Sequence, residues 1–357
     1  MHENQVFSQR INRVAYWIVL ALPLLLAGCA GVCIVDVPSA SVIHRRGSGS
    51  FREKPVSVTA DSFTTLQRDD KNAYIVRTVG FDGKEVRRSY MPLFTTAYGG
   101  SAYSFSEDGT KMAFVNWEPN RRPMRLNVCS VTNLAVNLLP AGVCDHLRAR
   151  FGYTVMWLDE DTILIYPNVG SQLSGEEAES VQILHLGELR LVQGHEVFGS
   201  NGPLLLSPSK RYLMATEDIG DTLLGKIHIL DLSTGKVVYE VLPSGEKLNP
   251  RGIVWRSDDE IIYSVDNRVV LRDIHSACEK DLFETKPNQA AELFAVDAKH
   301  NLHYQIYDDR KLFGNPALGW RVYNLRTRID HPFSGKVVTG GVFMNPARNV
   351  IVAEVGF

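Results

Sequence analysis

Residues 104–114, SFSEDGTKMAF, contain the pattern that decides the fold: an apolar strand end, a polar turn at Asp108-Gly109, and a second apolar strand. The same order recurs in MWLDEDTILIY (156–166), LLSPSKRYLMAT (205–216), VWRSDDEIIYSV (254–265), FAVDAKHNLHYQI (294–306) and VFMNPARNVIVAEV (342–355). Apolar runs of strand length bounded by polar turn residues are typical of β-hairpins. The repeat therefore predicts an all-β fold built from similar hairpins.

The spacing of these hairpins predicts the architecture. The equivalent positions are Phe105, Trp157, Leu206, Trp255, Val296 and Phe343. They are separated by 52, 49, 49, 41 and 47 residues. A period of roughly 40 to 50 residues is that of a four-stranded propeller blade. We therefore expect a β-propeller with four-stranded antiparallel blades.

A second hairpin follows each of the first five, at 125–139, 180–192, 226–241, 267–283 and 320–333. The sixth hairpin has no such follower, whereas residues 72–90 form a hairpin without a preceding partner. If the strands of residues 338–357 pair with 72–90, six blades spanning 70–357 close into a ring without an open sheet edge between the chain ends. We therefore predict a six-bladed ring closed by an N-terminal hairpin and the C-terminal strands.

Several glycines fit the tight turns of this scheme. Asp82-Gly83, Asp108-Gly109 and Ser233-Thr234-Gly235 occur at hairpin ends, where positive backbone φ angles are needed. Because they recur at equivalent positions, we interpret them as plain turns and not as calcium or phosphate loops.

Two blades carry a family resemblance. Ser106, Asp108, Gly109 and Lys111 in one, and Ser207, Pro208 and Lys210 in another, match parts of the Ser-Pro-Asp-Gly-Lys turn of TolB-like and WD40-like propellers. The resemblance spans roughly residues 70–357, although the Trp-Asp dipeptide of WD40 blades is absent. It implies a fold and says little about activity.

The N-terminus resembles that of a bacterial lipoprotein. Arg10 and Arg13 precede the short apolar run from Ala15 to Ala27, which then ends in Leu26-Ala27-Gly28-Cys29. These last four residues match the lipobox position by position. The resemblance implies that Cys29 is acylated and becomes the new N-terminus after residues 1–28 are removed. An ordinary signal peptide or a short uncleaved anchor is the alternative.

The lipobox also implies a location. By the sorting rule of enterobacterial lipoproteins, Ala30 in place of aspartate predicts the outer membrane, with the folded domain facing the periplasm. Residues 29–69 include the Gly-, Ser- and charge-rich stretch HRRGSGSFREKP, which predicts a flexible spacer. Two or more acyl chains anchor a protein stably, so we expect a tethered chain that does not span the bilayer.

Composition limits the function classes. The net charge of −2 gives no broad positive field for nucleic acid. No nucleophile elbow, zinc-protease helix or phosphate-binding loop is present, and no cofactor or metal site is predicted. We interpret His300 and His303, near Asp308 and Asp309, as structural. For Cys33, Cys129, Cys144 and Cys278 we expect buried free thiols, or at most a pairing that the sequence does not predict. The nearest candidate pair in the folded part, Cys129 and Cys144, is too far apart along two strands for a disulfide.

The candidate binding residues lie in long connections that share one face of a propeller. They are Arg121, Arg122, Arg125, His146, Arg148 and Arg150, with the aromatic residues Trp117, Phe313 and Trp320. Arginine forks suit an anionic partner, although such charges also serve simply to hydrate a surface. The leading hypothesis is a non-catalytic propeller that binds an envelope protein or peptide. The alternatives are a sugar or lactone hydrolase or lyase with its site at the central channel, and a carbohydrate-binding lipoprotein that stacks exposed aromatic rings on sugars.

Overall fold

The structure is a computed structural model. It describes residues 30–36, 41–46, 53–68, 74–91, 103–118, 121–134, 137–140, 143, 153–167, 181–195, 204–216, 226–243, 248–276, 278–308, 316–334, 337–345 and 350–356. All regular elements in these ranges are β-strands. None of the described segments is a helix with the length and apolar character needed to cross a membrane.

The described strands form six sheets of four antiparallel strands and one sheet of three. The chain begins with β1 (Ala30–Asp36) and β2 (Ser41–Arg46). Blade 1 comprises β3 (Glu53–Val58), β4 (Ser62–Arg68), β5 (Tyr74–Gly80) and β6 (Glu85–Met91), and blade 2 comprises β7 (Tyr103–Phe105), β8 (Lys111–Glu118) and β9 (Arg121–Ser130). Blade 3 comprises β10 (Tyr153–Trp157), β11 (Thr162–Pro167), β12 (Val181–His185) and β13 (Arg190–His195).

The remaining blades follow the same order. Blade 4 comprises β14 (Leu205–Leu206), β15 (Tyr212–Thr216), β16 (Ile227–Asp231) and β17 (Lys236–Val241). Blade 5 comprises β18 (Leu248–Trp255), β19 (Glu260–Val265), β20 (Arg268–Asp273) and β21 (Glu279–Glu284), and blade 6 comprises β22 (Gln289–Val296), β23 (Asn301–Asp308), β24 (Pro316–Asn324) and β25 (Asp330–Ser334). Blade 7 adds β26 (Val337–Asn345) and β27 (Val350–Gly356) to β1 and β2, in the order β26-β27-β1-β2.

Apolar layers between neighbouring blades hold the sheets in a ring. Each of the seven described apolar clusters combines side chains from two adjacent blades, from blades 1 and 2 around to blades 7 and 1. In the last of these junctions, Phe63 and Val79 of blade 1 pack with Val350 and Val352 of blade 7. The core is therefore divided among the blade junctions and has no single centre.

Strand β11 shows how one sequence serves two junctions. All six of its residues are buried. Ile163 and Ile165 pack towards blade 2, whereas Leu164 and Tyr166 pack towards blade 4. Because successive strand residues point to opposite faces, a sheet between two neighbours needs apolar residues at consecutive positions. The outer strand β21, by contrast, has no buried residue.

The predicted all-β ring of four-stranded antiparallel blades is confirmed. Six four-stranded blades were predicted and six are described, and the ring also holds the three-stranded blade 2. The predicted pairing of residues 72–90 with 338–357 is wrong. Strand β5 pairs with β4, from Ser62 opposite Gly80 to Arg68 opposite Tyr74. The C-terminal strand β27 pairs instead with β1.

The predicted flexible spacer is also wrong, because residues 30–68 contain strands β1 to β4 and the ring starts before residue 70. Hairpin 53–68 is the missing first half of blade 1. Its interior includes Thr64 and Thr65, which are fully buried. Thr64 contacts the Thr78 hydroxyl at 3.4 Å, and the Thr65 hydroxyl donates to the Arg77 carbonyl at 3.5 Å. Paired hydroxyl groups make burial of these threonines tolerable.

The ring has two faces, named by what joins the strands. The turn face carries the tight turns between first and second and between third and fourth strands. The connection face carries the links between second and third strands and between blades. Gly83, Gly109 and Gly235 occupy the turn face with positive φ angles of 82°, 67° and 71°, which confirms the interpretation as turns. At Gly109 a Cβ atom would lie 2.8 Å from the Thr59 methyl group of blade 1, so a larger residue would also disturb a blade junction.

Two tryptophans at equivalent repeat positions link neighbouring first strands. Trp157 Nε1 of blade 3 donates to the Ser104 carbonyl of blade 2 at 3.0 Å. Trp255 Nε1 of blade 5 donates to the Leu205 carbonyl of blade 4, also at 3.0 Å. The repeat thus places the same hydrogen bond across two of the seven junctions.

We predict that Trp255→Phe lowers the free energy of unfolding by about 1–3 kcal/mol, because it removes the bond to Leu205 and leaves a smaller ring in the junction. Urea unfolding followed by circular dichroism measures the change. Val238→Ala, at a side chain that is 40% exposed, serves as the control and should have little effect. Equal midpoints for Trp255→Phe and the wild type would contradict a stabilising role for this bond.

Candidate partner-binding surface

The structure brings three of the predicted binding residues onto one strand. Arg121, Arg122 and Arg125 lie on β9 in blade 2, and Trp117 lies on the adjacent β8. The predicted long connection over these residues is therefore wrong, because only residues 119 and 120 separate the two strands. Strand β9 starts at the connection face, so Arg121 and Arg122 are located at that face. The remaining predicted residues lie outside the described part of the chain, namely His146, Arg148, Arg150 and Phe313, together with Leu26, Ala27, Gly28 and Cys29.

Trp320 is not the exposed aromatic residue that the carbohydrate hypothesis requires. It lies on β24 with no exposed surface. Its ring packs against Phe294 and Phe333, with centroids 5.9 and 5.3 Å away. Side chains alternate along β24, and the side chain of Trp320 points into the junction of blades 6 and 7. There it packs in the apolar cluster that includes Val338. Trp320 therefore belongs to the core.

A buried hydrogen-bonded chain surrounds His303, beside Trp320. Trp320 Nε1 donates to His303 Nδ1 at 3.3 Å, and His303 Nε2 lies 3.1 Å from Asp297 Oδ2. Since an indole N–H only donates, Nδ1 has the lone pair and the ring proton is on Nε2, directed at Asp297. Both imidazole nitrogens are engaged, so His303 has no nitrogen left for a metal ion.

Asp297 organises the turn that precedes β23. Its Oδ1 accepts from the backbone N–H groups of Lys299 and Asn301 at 2.8 and 2.9 Å. Burial raises the pKa of Asp297, but hydrogen bonds from His303 and Asn301 outweigh burial and leave the pKa below its usual value. The described residues contain no group of three or more possible metal ligands. The hydrogen bonds of His303 support the structural interpretation of that residue, whereas the interpretation of His300 stays a prediction.

The turn face carries many carboxylates, and its turns use them as internal acceptors. Asp108 Oδ1 accepts from the Thr110 N–H at 2.9 Å, and Asp159 Oδ1 accepts from the Asp161 N–H at 2.8 Å. Partial burial raises the pKa of Asp108, but hydrogen bonds from Ser106 and Thr110 reverse the shift and lower it. These carboxylates stabilise turns, so their number on this face does not indicate a catalytic centre.

Two lysines connect turns of different blades. Lys111 of blade 2 contacts Asp161 of blade 3 at 3.2 Å. Lys210 of blade 4 contacts Glu107 of blade 2 at 2.8 Å and so reaches past the intervening blade. Such a reach requires that both turns lie close to the ring axis. Exposed ion pairs of this kind contribute little stability individually, and we interpret these as ties between turns.

Cysteine placement agrees only in part with the sequence. Cys129 is a buried free thiol, as expected, and burial raises its pKa to about 11. Cys278 is also free but exposed, so the expectation of a buried thiol is wrong there. Cys278 lies between the third and fourth strands of blade 5, where side chains face water. Cys33 and Cys144 lie outside the residues whose side chains the structure describes.

Gln305 is a connecting residue that the sequence did not reveal. It lies on β23 with no exposed surface. Its Nε2 donates to the Val338 carbonyl at 2.9 Å, and its Oε1 accepts from the Val338 N–H at 3.0 Å. The carboxamide thus pairs with the backbone of β26 as a neighbouring strand would. Nε2 also contacts Glu292 Oε2 at 2.7 Å. No sequence motif marks this position.

Comparison with known proteins identifies the fold. No protein-family model and no curated protein matches the chain. Dihydro-heme d1 dehydrogenase NirN in complex with DHE is 14% identical with a TM-score of 0.53, covering 88% of this chain and 66% of that one. The chain is a β-propeller. TolB from Acinetobacter baumannii is 12% identical (TM-score 0.42; 73% and 65% covered), and the Dos1 propeller is 14% identical (TM-score 0.45; 83% and 75% covered).

At such identities a likeness shows the fold alone. The propeller described here also spans less than two thirds of the length of the NirN chain and of the TolB chain. The activities named for those proteins therefore do not transfer. What the chain shares with NirN is its fold.

We predict that Gln305→Leu lowers the free energy of unfolding by about 2–5 kcal/mol, because it leaves the buried N–H and C=O groups of Val338 without partners. Urea unfolding measures the loss. Gln182→Leu is the matched control: Gln182 is 4% exposed on β12, and its Oε1 has no hydrogen-bond partner among the described residues. Its replacement should be neutral or stabilising. Equal losses in the two variants would contradict the connecting role of Gln305.

Proposed function

We propose that this protein is a lipid-anchored scaffold of the bacterial envelope whose propeller binds a protein or peptide partner without catalysis. The observation that carries the proposal is the position of Arg121 and Arg122 at the start of β9, on the connection face of blade 2. The sequence adds Arg148 and Arg150 in the connection to blade 3. Planar guanidinium groups pair with carboxylates in a bidentate manner, so the partner presents an acidic surface.

The anchor in this proposal is Cys29, acylated after removal of residues 1–28. The match of Leu26-Ala27-Gly28-Cys29 to a lipobox supports it, and Ala30 supports sorting to the outer membrane. The folded ring then faces the periplasm. A rigid ring held at the membrane surface increases the local concentration of its binding face near other envelope proteins.

We expect Cys29→Ala to abolish incorporation of labelled palmitate and to prevent stable membrane association, because the acyl chains provide the anchor. Metabolic labelling followed by membrane fractionation in a bacterial host measures both effects. Cys33→Ala is the matched control and should retain the label. Retention of palmitate in the Cys29→Ala protein would contradict the anchor.

Binding through the arginines is tested in living cells with a photo-crosslinking amino acid at Arg122. We expect a discrete adduct with one envelope protein, and we expect the same residue at Lys236 to give none. Lys236 is exposed and begins β17 on the turn face, which makes it a control of similar accessibility. Adducts of equal yield at both positions would contradict a binding site at the arginines.

A further inference from the structure

The turn between the third and fourth strands of blade 6 differs in charge from its counterpart in blade 4. Residues 324–328 are NLRTR, and residues 231–235 are DLSTG. In both turns the fifth N–H group donates to the first carbonyl group at 2.8 Å. The fifth residue, Arg328 or Gly235, has a positive φ angle in each. The two turns are therefore equivalent position by position, and we call residues 324–328 the basic turn.

All three differences between these turns act in the direction of positive charge. The first residue in blade 4 is Asp231, whose carboxylate pairs with Arg211 at 3.0 Å. The first residue in blade 6 is Asn324, whose Oδ1 accepts from the Arg326 N–H at 3.0 Å and so keeps the turn without a charge. Arg326 and Arg328 replace serine and glycine. The formal charge changes from −1, for one aspartate, to +2, for two arginines.

The backbone of Arg328 shows that the turn itself does not require an arginine. Its φ angle is 59°, close to the 71° of Gly235. A residue with a Cβ atom is strained in this left-handed region, whereas glycine is not. Leu189, with a φ angle of 49° in the corresponding turn of blade 3, shows that an uncharged side chain also fits. The charge of Arg328 is therefore available for a role outside the turn, and strained residues concentrate at binding sites.

Arg326 is held in place by the first turn of the same blade. Its Nη2 donates to His300 Nε2 at 2.5 Å, since a guanidinium group cannot accept. The backbones of the two turns are joined by the Leu325 N–H, which donates to the His300 carbonyl at 2.9 Å. Their side chains are joined by Asn324 Nδ2, which donates to Asn301 Oδ1 at 2.7 Å. These bonds fix the position of Arg326 before any ligand arrives.

The aspartates of blade 6 that lie close to the basic turn in sequence or in space have other partners. Asp330 pairs with Arg321 at 2.5 Å. Asp297 is buried and accepts from backbone N–H groups of its own turn. Arg326 and Arg328 are both exposed, and neither forms an ion pair with a carboxylate of the described residues. The basic turn therefore presents two guanidinium groups without an acidic partner, on a face where many other turns carry carboxylates.

We propose that Arg326 and Arg328 bind an acidic peptide segment of a partner protein at the turn face of blade 6. Guanidinium groups pair with carboxylates through two parallel hydrogen bonds. Ile329, next to Arg328, is 60% exposed and offers an apolar contact. Two arginines spaced along a turn, with an exposed aliphatic side chain beside them, suit a peptide with several carboxylates better than a single small anion. The site does not depend on the anchor or on the arginines of blade 2.

The test uses the full-length protein with a fluorophore on an unnatural amino acid at Thr327, between the two arginines. Thr234, at the equivalent position of blade 4, carries the fluorophore in the control protein. The probe is an oligoaspartate peptide that carries a quencher, and an oligoglutamine peptide with the same quencher is its control. We expect oligoaspartate to quench position 327 several-fold more than position 234. High salt should abolish the difference, because it screens the attraction.

A variant that gives blade 6 the residues of blade 4 isolates the arginines. Arg326→Ser with Arg328→Gly should weaken oligoaspartate binding roughly tenfold or more, since it removes both charged forks. Its midpoint in urea should equal or exceed that of the wild type, because glycine relieves the backbone strain. Lys280→Ser with Lys286→Ser removes the same charge from exposed positions of blade 5 and should retain binding.

Four results would overturn the inference. The first is equal quenching at positions 327 and 234, and the second is unchanged affinity of the Arg326→Ser, Arg328→Gly variant for oligoaspartate. A lower urea midpoint of that variant would show that the arginines serve the fold. Displacement of oligoaspartate by an equal concentration of inorganic phosphate would assign the site to a small oxyanion instead of a peptide.

Discussion

Burial of both faces of each sheet is the constraint on which the rest of this structure depends. A blade between two neighbours has no solvent-facing surface except at its outer strand and its two ends. Strands such as β11 therefore carry apolar residues at consecutive positions, with Ile163 and Leu164 serving different junctions. Gln305 enters a junction with hydrogen-bond partners, the backbone N–H and C=O groups of Val338. The ends of the blades, with their turns and connections, remain at the surface.

Much of this arrangement could be predicted from the sequence, because a first strand followed by a polar turn is a local pattern. Trp157 and Trp255 end first strands where the repeat placed them. Hairpin 53–68 was missed because its buried positions include Thr64 and Thr65, whose side chains do not register as apolar. The closing partner was missed for another reason. Pairing of Ala30 with Gly356 joins opposite ends of the chain, and no local pattern specifies which early hairpin completes the last blade.

Some features of the candidate site could likewise be predicted from the sequence, and others could not. Turn chemistry is local, so the structural roles of Gly83 and Gly109 could be inferred from their neighbours in the chain. The burial of Trp320 could not be inferred in this way. Side chains alternate between the two faces of a strand, and only the position of blade 7 decides that the face with Trp320 is buried. The bonds from Trp320 to His303 and from His303 to Asp297 depend on that burial. Arg121 and Arg122 were predicted to lie in a long connection, whereas the structure places both in strand β9.

Closure of the last blade by strands from both ends of the chain has a consequence for biogenesis. Strands β1 and β2 are made long before β27 and must wait for it before blade 7 is complete. Contacts between residues so distant in sequence form slowly, since loop closure must precede them. Until then β1, β3 and β26 expose strand surface that attracts other chains. A chain of this design is therefore most prone to associate with other chains before β27 has paired with β1.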